Sequence, residues 1–271
     1  MIDIIAEMLS YKFLVRAAAI GLMVSLCSAL LGVSLVLKRY SMIGDGLSHV
    51  GFGALAAAVA LGRSPLGISL PVTIAAAILL MRLTDKSAVK GDAAIGLISV
   101  SSLAAGVTAI SLSSGINTDV CNYMFGSILA MSKSDVRLSI VTSASVLLLF
   151  VLCCSRIFAV TFDEDFAKAA GVNTGRCNTV IAVLTGVNIA VGMRLMGALL
   201  ISGLIIFPAV TSMRFFKSFR GVIISSAAVS LFSFLTGLVI SYAGGMPAGA
   251  CIVLVNLCFF IVFAAAGRAR C

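Results

Sequence analysis

The chain has 271 residues, is 61% hydrophobic and 11% charged, and has a mean hydropathy of +1.19, a balance that excludes an ordinary soluble domain. Its apolar residues fall in repeated runs of about twenty, the length at which a helix crosses a bilayer with its backbone hydrogen bonds satisfied internally. The net charge of +9 does not point to nucleic acid, because the Lys and Arg residues sit at the ends of the apolar runs, as the cytoplasmic bias of positive charge requires.

The predicted fold class is therefore all-α, a polytopic membrane protein with residues 1–271 forming a single transmembrane domain. Residues 1–12 are mildly amphipathic and carry Asp3 and Glu7 in place of the basic region of a cleaved leader, so the first apolar run is read as a retained span. That span, 13–37, ends at Lys38 and Arg39, which assigns this end to the cytoplasm and the N-terminus to the outside. The second span, about 41–62, ends before Arg63 and Pro65. Residues 66–81 return to a basic loop containing Arg82, Lys86 and Lys90.

Asp92 opens the fourth span, which ends in the polar turn 113–119. Residues 120–132 are too few to cross unaided and are read as a re-entrant segment. This choice puts the polar segment 163–176 inside, and it leaves Lys133 and Arg137 outside against the charge rule. Residues 138–154, 178–193, 196–213, 221–242 and 248–267 supply the remaining spans. Arg214, Lys217 and Arg220 mark an inner loop, and Arg268 and Arg270 an inner C-terminus. The expected total is about nine transmembrane helices plus one short re-entrant segment, with no repeat of the inverted-carrier kind.

His49, the only histidine, lies inside the second span, four residues after Asp45. On a helix this spacing puts both side chains on one face, about 6 Å apart in height. For hydrocarbon beginning just after Arg39, His49 is about 15 Å deep, near the middle of the bilayer. Ionisable groups at such depth are candidates for function. An imidazole nitrogen beside a carboxylate oxygen suits zinc, manganese or iron. The alternative is an Asp–His hydrogen bond that only pins two helices together. Asp92 and Asp119 are further acidic positions at the ends of the fourth span. The eight cysteines lie mostly in apolar runs without a CxxC pair and read as small apolar filler; Cys121, near Asp119, is the exception.

Two later segments carry more than hydropathy. Asp163-Glu164-Asp165-Phe166-Ala167-Lys168-Ala169-Ala170-Gly171 reads as a short helix with an acidic first turn and a glycine stop. Phe166, Ala169 and Ala170 form one small apolar face with an aromatic knob, suited to a groove in a partner protein. An ordinary interfacial connector is the other reading. The segment from Gly192 to Ala209 mixes small residues with Pro208 inside a span, a pattern that fits a moving pathway or close helix packing.

Four stretches together resemble the permease subunits of the zinc, manganese and iron importers of the ATP-binding-cassette superfamily: Gly44-Asp45-Gly46-Leu47-Ser48-His49, the run from Tyr123 to Ala130, the Asp163–Gly171 loop, and the span from Met196 to Ala209. The resemblance implies a fold similar to type II importer permeases, in a prokaryotic cell membrane. It implies a homodimer of two permease copies in lipid, served by cytosolic ATP-binding-cassette ATPase subunits and an extracytoplasmic metal-binding protein. Carried over, Asp45 and His49 match the membrane-embedded metal ligands on the translocation path. Asp92, Asp119, Met196 and Pro208 are weaker candidates for that path. Asp163, Phe166, Ala167 and Gly171 match the loop, about 163–176, that couples to the ATPase, and Glu164, Asp165 and Ala170 are assigned to the same coupling segment. One departure is Gly51-Phe52-Gly53, where relatives more often have a bulkier run with a proline.

The implied cargo is a divalent Zn, Mn or Fe ion with no permanently bound cofactor, and the chain itself is not expected to be an enzyme, since it lacks a GxxxxGK[ST] loop. Two rival readings remain at this stage. An ion-gradient-coupled metal carrier would relay ions through Asp45, Asp92 and Asp119. An intramembrane hydrolase is disfavoured because HExxH and GxSxG are absent and Ser48 adjoins His49 on the helix instead of facing it.

Overall fold

Apolar runs broken by glycine, proline and basic residues give ten helices in the computed structural model, which describes residues 7–8, 10–86, 91–112 and 133–268. They are α1 (Lys12–Leu37), α2 (Ile43–Ala60), α3 (Pro65–Lys86), α4 (Gly91–Leu112), α5 (Lys133–Phe162), α6 (Glu164–Ala169), α7 (Thr174–Met196), α8 (Ala198–Met213), α9 (Phe219–Gly244) and α10 (Ala248–Arg268). Eight are long and apolar enough to cross a membrane, and the chain is a multi-pass protein of the cell membrane. The remaining predicted span, α8, has 16 residues. At about 24 Å it is shorter than the roughly 30 Å hydrocarbon core.

The helix ends follow from local chemistry. After α1, Tyr40 N–H donates to the Leu35 carbonyl at 2.8 Å and Arg39 N–H to that of Val36 at 3.0 Å. This left-handed cap usually takes glycine, but here it is closed by Arg39 with φ 62°. The same cap ends α2 with Gly62 at φ 65°. The turn 38–42 delays the start of α2 to Ile43, so His49 lies only about 9 Å along that helix. The unbroken helix from Arg39 on which the expected depth of about 15 Å was counted is therefore interrupted by this turn.

Of the eight long helices, α1, α2 and α7 are the inner ones, with 72, 67 and 67% of their central stretches buried, against 28% or less for α3, α4, α5 and α10, and the shorter α8 is also largely buried. Outward residues of the peripheral helices, such as Leu97, Val100, Val151, Leu152 and Ile261, are apolar and exposed, as a lipid-facing surface requires. Between helices, where lipid offers no hydrophobic drive for association, small residues and hydroxyls make the contacts. Ser230 Oγ of α9 donates to the Ser25 carbonyl of α1 at 3.0 Å, and Asn188 Nδ2 of α7 donates to Ser28 Oγ at 2.8 Å.

Lys38 Nζ lies 3.7 Å from Glu164 Oε2, and Met81 and Arg82 of α3 line a cavity with Asn173 and Arg176. The end of α1, the end of α3 and the segment 163–176 therefore share one side of the bundle, in keeping with an inner position for 163–176. The predicted re-entrant segment 120–132, with Asp119, Cys121 and the Tyr123–Ala130 motif, lies outside the described residues. The span predicted at 138–154 is longer than expected. It runs from Lys133 to Phe162, 30 residues, because Arg137 and Arg156 continue the helix and do not end it.

Candidate functional site

Between Ile43 and Ala58 of α2, only Asp45, His49, Gly53 and Ala57 are not buried. Their constant spacing of four residues aligns them as one stripe along the helix, with two polar groups nearer its start and two small residues beyond. Packing against neighbouring helices explains the burial of the other faces, and at Gly53 the stripe itself is met by Ser102 of α4. A Cβ on Gly44 would meet Ile205 of α8 at 3.0 Å, one on Gly46 would meet Ile95 of α4 at 2.5 Å, and one on Gly51 would meet Met193 of α7 at 3.0 Å. Glycine at these positions lets three helices close on α2 from behind. Thus the Gly51-Phe52-Gly53 departure marks tight helix packing.

His49 Nε2 is 3.8 Å from Asp45 Oδ2, with the side chains 22% and 46% exposed. That separation is longer than a hydrogen bond, so neither group's lone pairs are consumed by the other and both can face a third atom. Two ligands about 2.1 Å from one tetrahedral ion stand about 3.4 Å apart, so closing the pair by a few tenths of an ångström would let both hold one divalent metal. Among the described residues no third His, Cys, Asp or Glu joins them in a metal-holding cluster. One chain thus offers two donors here, while Ser48 Oγ is occupied by donating to the Gly44 carbonyl at 2.6 Å.

The other predicted positions are distributed around this stripe. Asp92 is in the first turn of α4, the helix whose Ile95 abuts Gly46; its side chain lies outside the described residues. Met196 is 4% exposed and points toward Gly21 of α1, so it is brought into the packed interior and not onto the Asp45–His49 face. Pro208 is buried within α8, which approaches Gly44 through Ser202 and Ile205.

The polar loop forms the expected short helix. Asp163 Oδ1 caps α6 by accepting from Phe166 N–H at 2.9 Å. Gly171, at φ 81°, closes it as Val172 N–H donates to the Ala167 carbonyl at 2.9 Å. Ala167 is fully buried, whereas Phe166 is 70% exposed and Ala169, Ala170 and Gly171 are also exposed. The exposed face is thus the apolar one, with Asp165 beside it and 97% exposed. Glu164 turns the other way, toward Lys38 and Lys168.

Sequence reasoning missed Gly53 and Ala57, which continue the Asp45–His49 period and could have been found by extending it. It also read Lys38 only as an end marker.

The chain matches the ABC 3 transport family over residues 10–267. It is 28% identical over 255 residues to the high-affinity zinc uptake system membrane protein ZnuB of Haemophilus influenzae, covering 93% of this chain and 97% of that one. It is 27% identical over 252 residues to the manganese import system permease protein ScaB of Streptococcus parasanguinis, covering 93% and 90%. Among solved structures, PsaBC from Streptococcus pneumoniae in complex with Fab superposes with a TM-score of 0.85 at 28% identity, covering 97% of this chain and 95% of that one.

Proposed function

Since the chain belongs to the ABC 3 transport family, we propose that it is the membrane permease subunit of an ATP-driven importer that carries zinc, manganese or iron inward along the Asp45–His49 stripe. The observation that carries this reading is the partly exposed Asp45–His49 pair on a helix whose neighbouring residues, Ile43 to Ser48 and Val50 to Phe52, are otherwise buried. The two donors offer nitrogen and oxygen ligation with neither consumed by the other. Two donors are too few for a four-coordinate ion, so a second copy related by a two-fold axis would complete the set with its own Asp and His. Such a site binds loosely enough to release, and tight capture belongs to an extracytoplasmic metal-binding protein.

ATP hydrolysis belongs to a separate cytosolic ATPase subunit, since this chain has no phosphate-binding glycine loop. The exposed face of Phe166, Ala169 and Ala170 is the surface it would engage, held by the Asp163 cap and the Gly171 stop. Asp92 and Asp119 at the ends of α4 and its following segment, Met196 at the α7–α8 turn, and Pro208 within α8 are proposed as secondary contributors to the path, acting through the helices that flank α2.

The test is radiometal uptake into proteoliposomes holding the complete transporter, with zinc and manganese in competition. Asp45→Ala and His49→Ala should each lower ATP-dependent uptake by about tenfold or more while the complex still purifies intact. Full uptake in both would remove the ligand role. Uptake by this chain alone, driven by a proton gradient, would replace the ATP-driven reading with a secondary carrier.

A further inference from the structure

The Lys38 ammonium sits where three elements meet. Its side chain is only 7% exposed, an uncommon state for lysine unless its charge is compensated. Glu164 Oε2 of α6 is 3.7 Å away, and Asn178 Oδ1, one turn into α7, accepts a hydrogen bond from Nζ at 2.5 Å. Asn178 Nδ2 in turn reaches both oxygens of Glu164 at 3.4 and 3.5 Å. One cation, one carboxylate and one amide thereby join the end of α1, the short helix α6 and the start of α7.

Lys38 is also the residue that caps α1, and only 39–42 separate it from α2. That turn is closed by backbone hydrogen bonds: Arg39 N–H to Val36, Tyr40 N–H to Leu35, Ile43 N–H to Tyr40 and Gly46 N–H to Met42. Each residue between the ammonium and Asp45 is therefore in a helix or in this hydrogen-bonded turn. A displacement of Glu164 is passed through the 3.7 Å ion pair and the bridging Asn178 amide into a stiff turn, and from there into the first turn of the helix that carries Asp45 and His49.

We infer that Lys38 is a positioning residue, the link by which movement of α6 shifts the Asp45–His49 stripe; the inference rests on the permease reading above. On the permease reading the nucleotide is bound by a separate subunit, and Lys38 is not part of the Asp45–His49 stripe. Its loss should therefore leave the ATPase cycle running while fewer ions are moved per turnover.

The test uses the complete transporter in proteoliposomes, with radiolabelled manganese and zinc as probes and ATP hydrolysis measured in the same samples. Lys38→Met keeps the length of the side chain and removes its charge. ATP hydrolysis should stay within about twofold of wild type, and ions imported per ATP should fall about tenfold. Lys38→Arg should restore the ratio, and Asn178→Ser, which leaves the Lys38–Glu164 contact in place, should lower it about threefold. A role limited to holding the fold would reduce complex yield and lower hydrolysis and uptake in proportion, leaving the ratio unchanged; that result, in Lys38→Met or in the milder Asn178→Ser, overturns the inference. Wild-type complex that shows no ATP-dependent uptake overturns the permease reading, and the link with it. An unchanged ratio in variants of an active wild type overturns the link alone.

Discussion

Gly53 of α2 packs against the main chain of Ser102 in α4, so closely that a Cβ at residue 53 would stand 2.5 Å from the Ser102 carbonyl oxygen. Gly106, one turn further along the same face of α4, also meets the Cα of Gly53, where its own added Cβ would come within 2.8 Å. Gly53→Ala should push the two helices apart and destabilise the fold by about 1–3 kcal/mol. Gly96→Ala on the same α4 is the matched control, because nothing lies within 4 Å of its added Cβ. Thermal unfolding of the detergent-solubilised protein, followed by size-exclusion chromatography, checks both.

The stripe makes a prediction about size. Ala57 continues the line of Asp45 and His49 and is partly exposed, so Ala57→Phe adds a ring to that line at a stability cost of about 1–3 kcal/mol or less. If the stripe is the path, the ring should lower metal uptake sharply without touching either ligand. Uptake equal to wild type would mean that the ion travels elsewhere.

The break between α7 and α8 rests on one residue. Gly197 has φ 84° and ψ 162°, a region open almost only to glycine, and it is the sole connection between two helices that would otherwise run on. Gly197→Ala should cost about 1–3 kcal/mol. Gly171→Ala, at φ 81° with nothing within 4 Å, should cost about 1–2 kcal/mol from backbone strain. Comparing the two melting temperatures with wild type tests whether the strain is local to each turn.

In α6, stability and contact can be separated. Asp163→Ala removes the cap of a helix of six residues and should weaken it by about 1 kcal/mol. Phe166→Ala removes a ring that is 70% exposed, so the melting temperature of the isolated permease should hardly move. Co-purification of the ATPase subunit should fall in Phe166→Ala if that face is the docking surface.

The positions of most helices were legible because bilayer thickness leaves a strong length signal, and the Asp45–His49 face was legible because i,i+4 spacing is unambiguous once a helix is assumed. What failed was the helix start. Lys38 and Arg39 looked like a boundary between two continuous spans, and nothing in their composition announces a four-residue hydrogen-bonded turn closed by an arginine at positive φ. The role of Gly53 was hidden for another reason: its value lies in the carbonyl of Ser102, 49 residues away, and a single sequence does not display that pairing. The span 138–154 is shorter than α5 because its apolar run stops short of Arg137 and Arg156, although long basic side chains can reach polar surroundings from within a continuing helix.

The arginine at the end of α1 has a bearing on how the protein acquires its orientation. A left-handed conformation at a residue with a Cβ costs about 1–2 kcal/mol, and glycine at position 39 would avoid it. A basic side chain close to an anionic leaflet gains about 1 kcal/mol from the surface potential, and Arg39 is exposed at the rim of the bundle. The two terms nearly cancel, so the strained turn holds a topological anchor at little net expense. During insertion, that anchor would retain the α1–α2 hairpin on the side of the membrane where it was made.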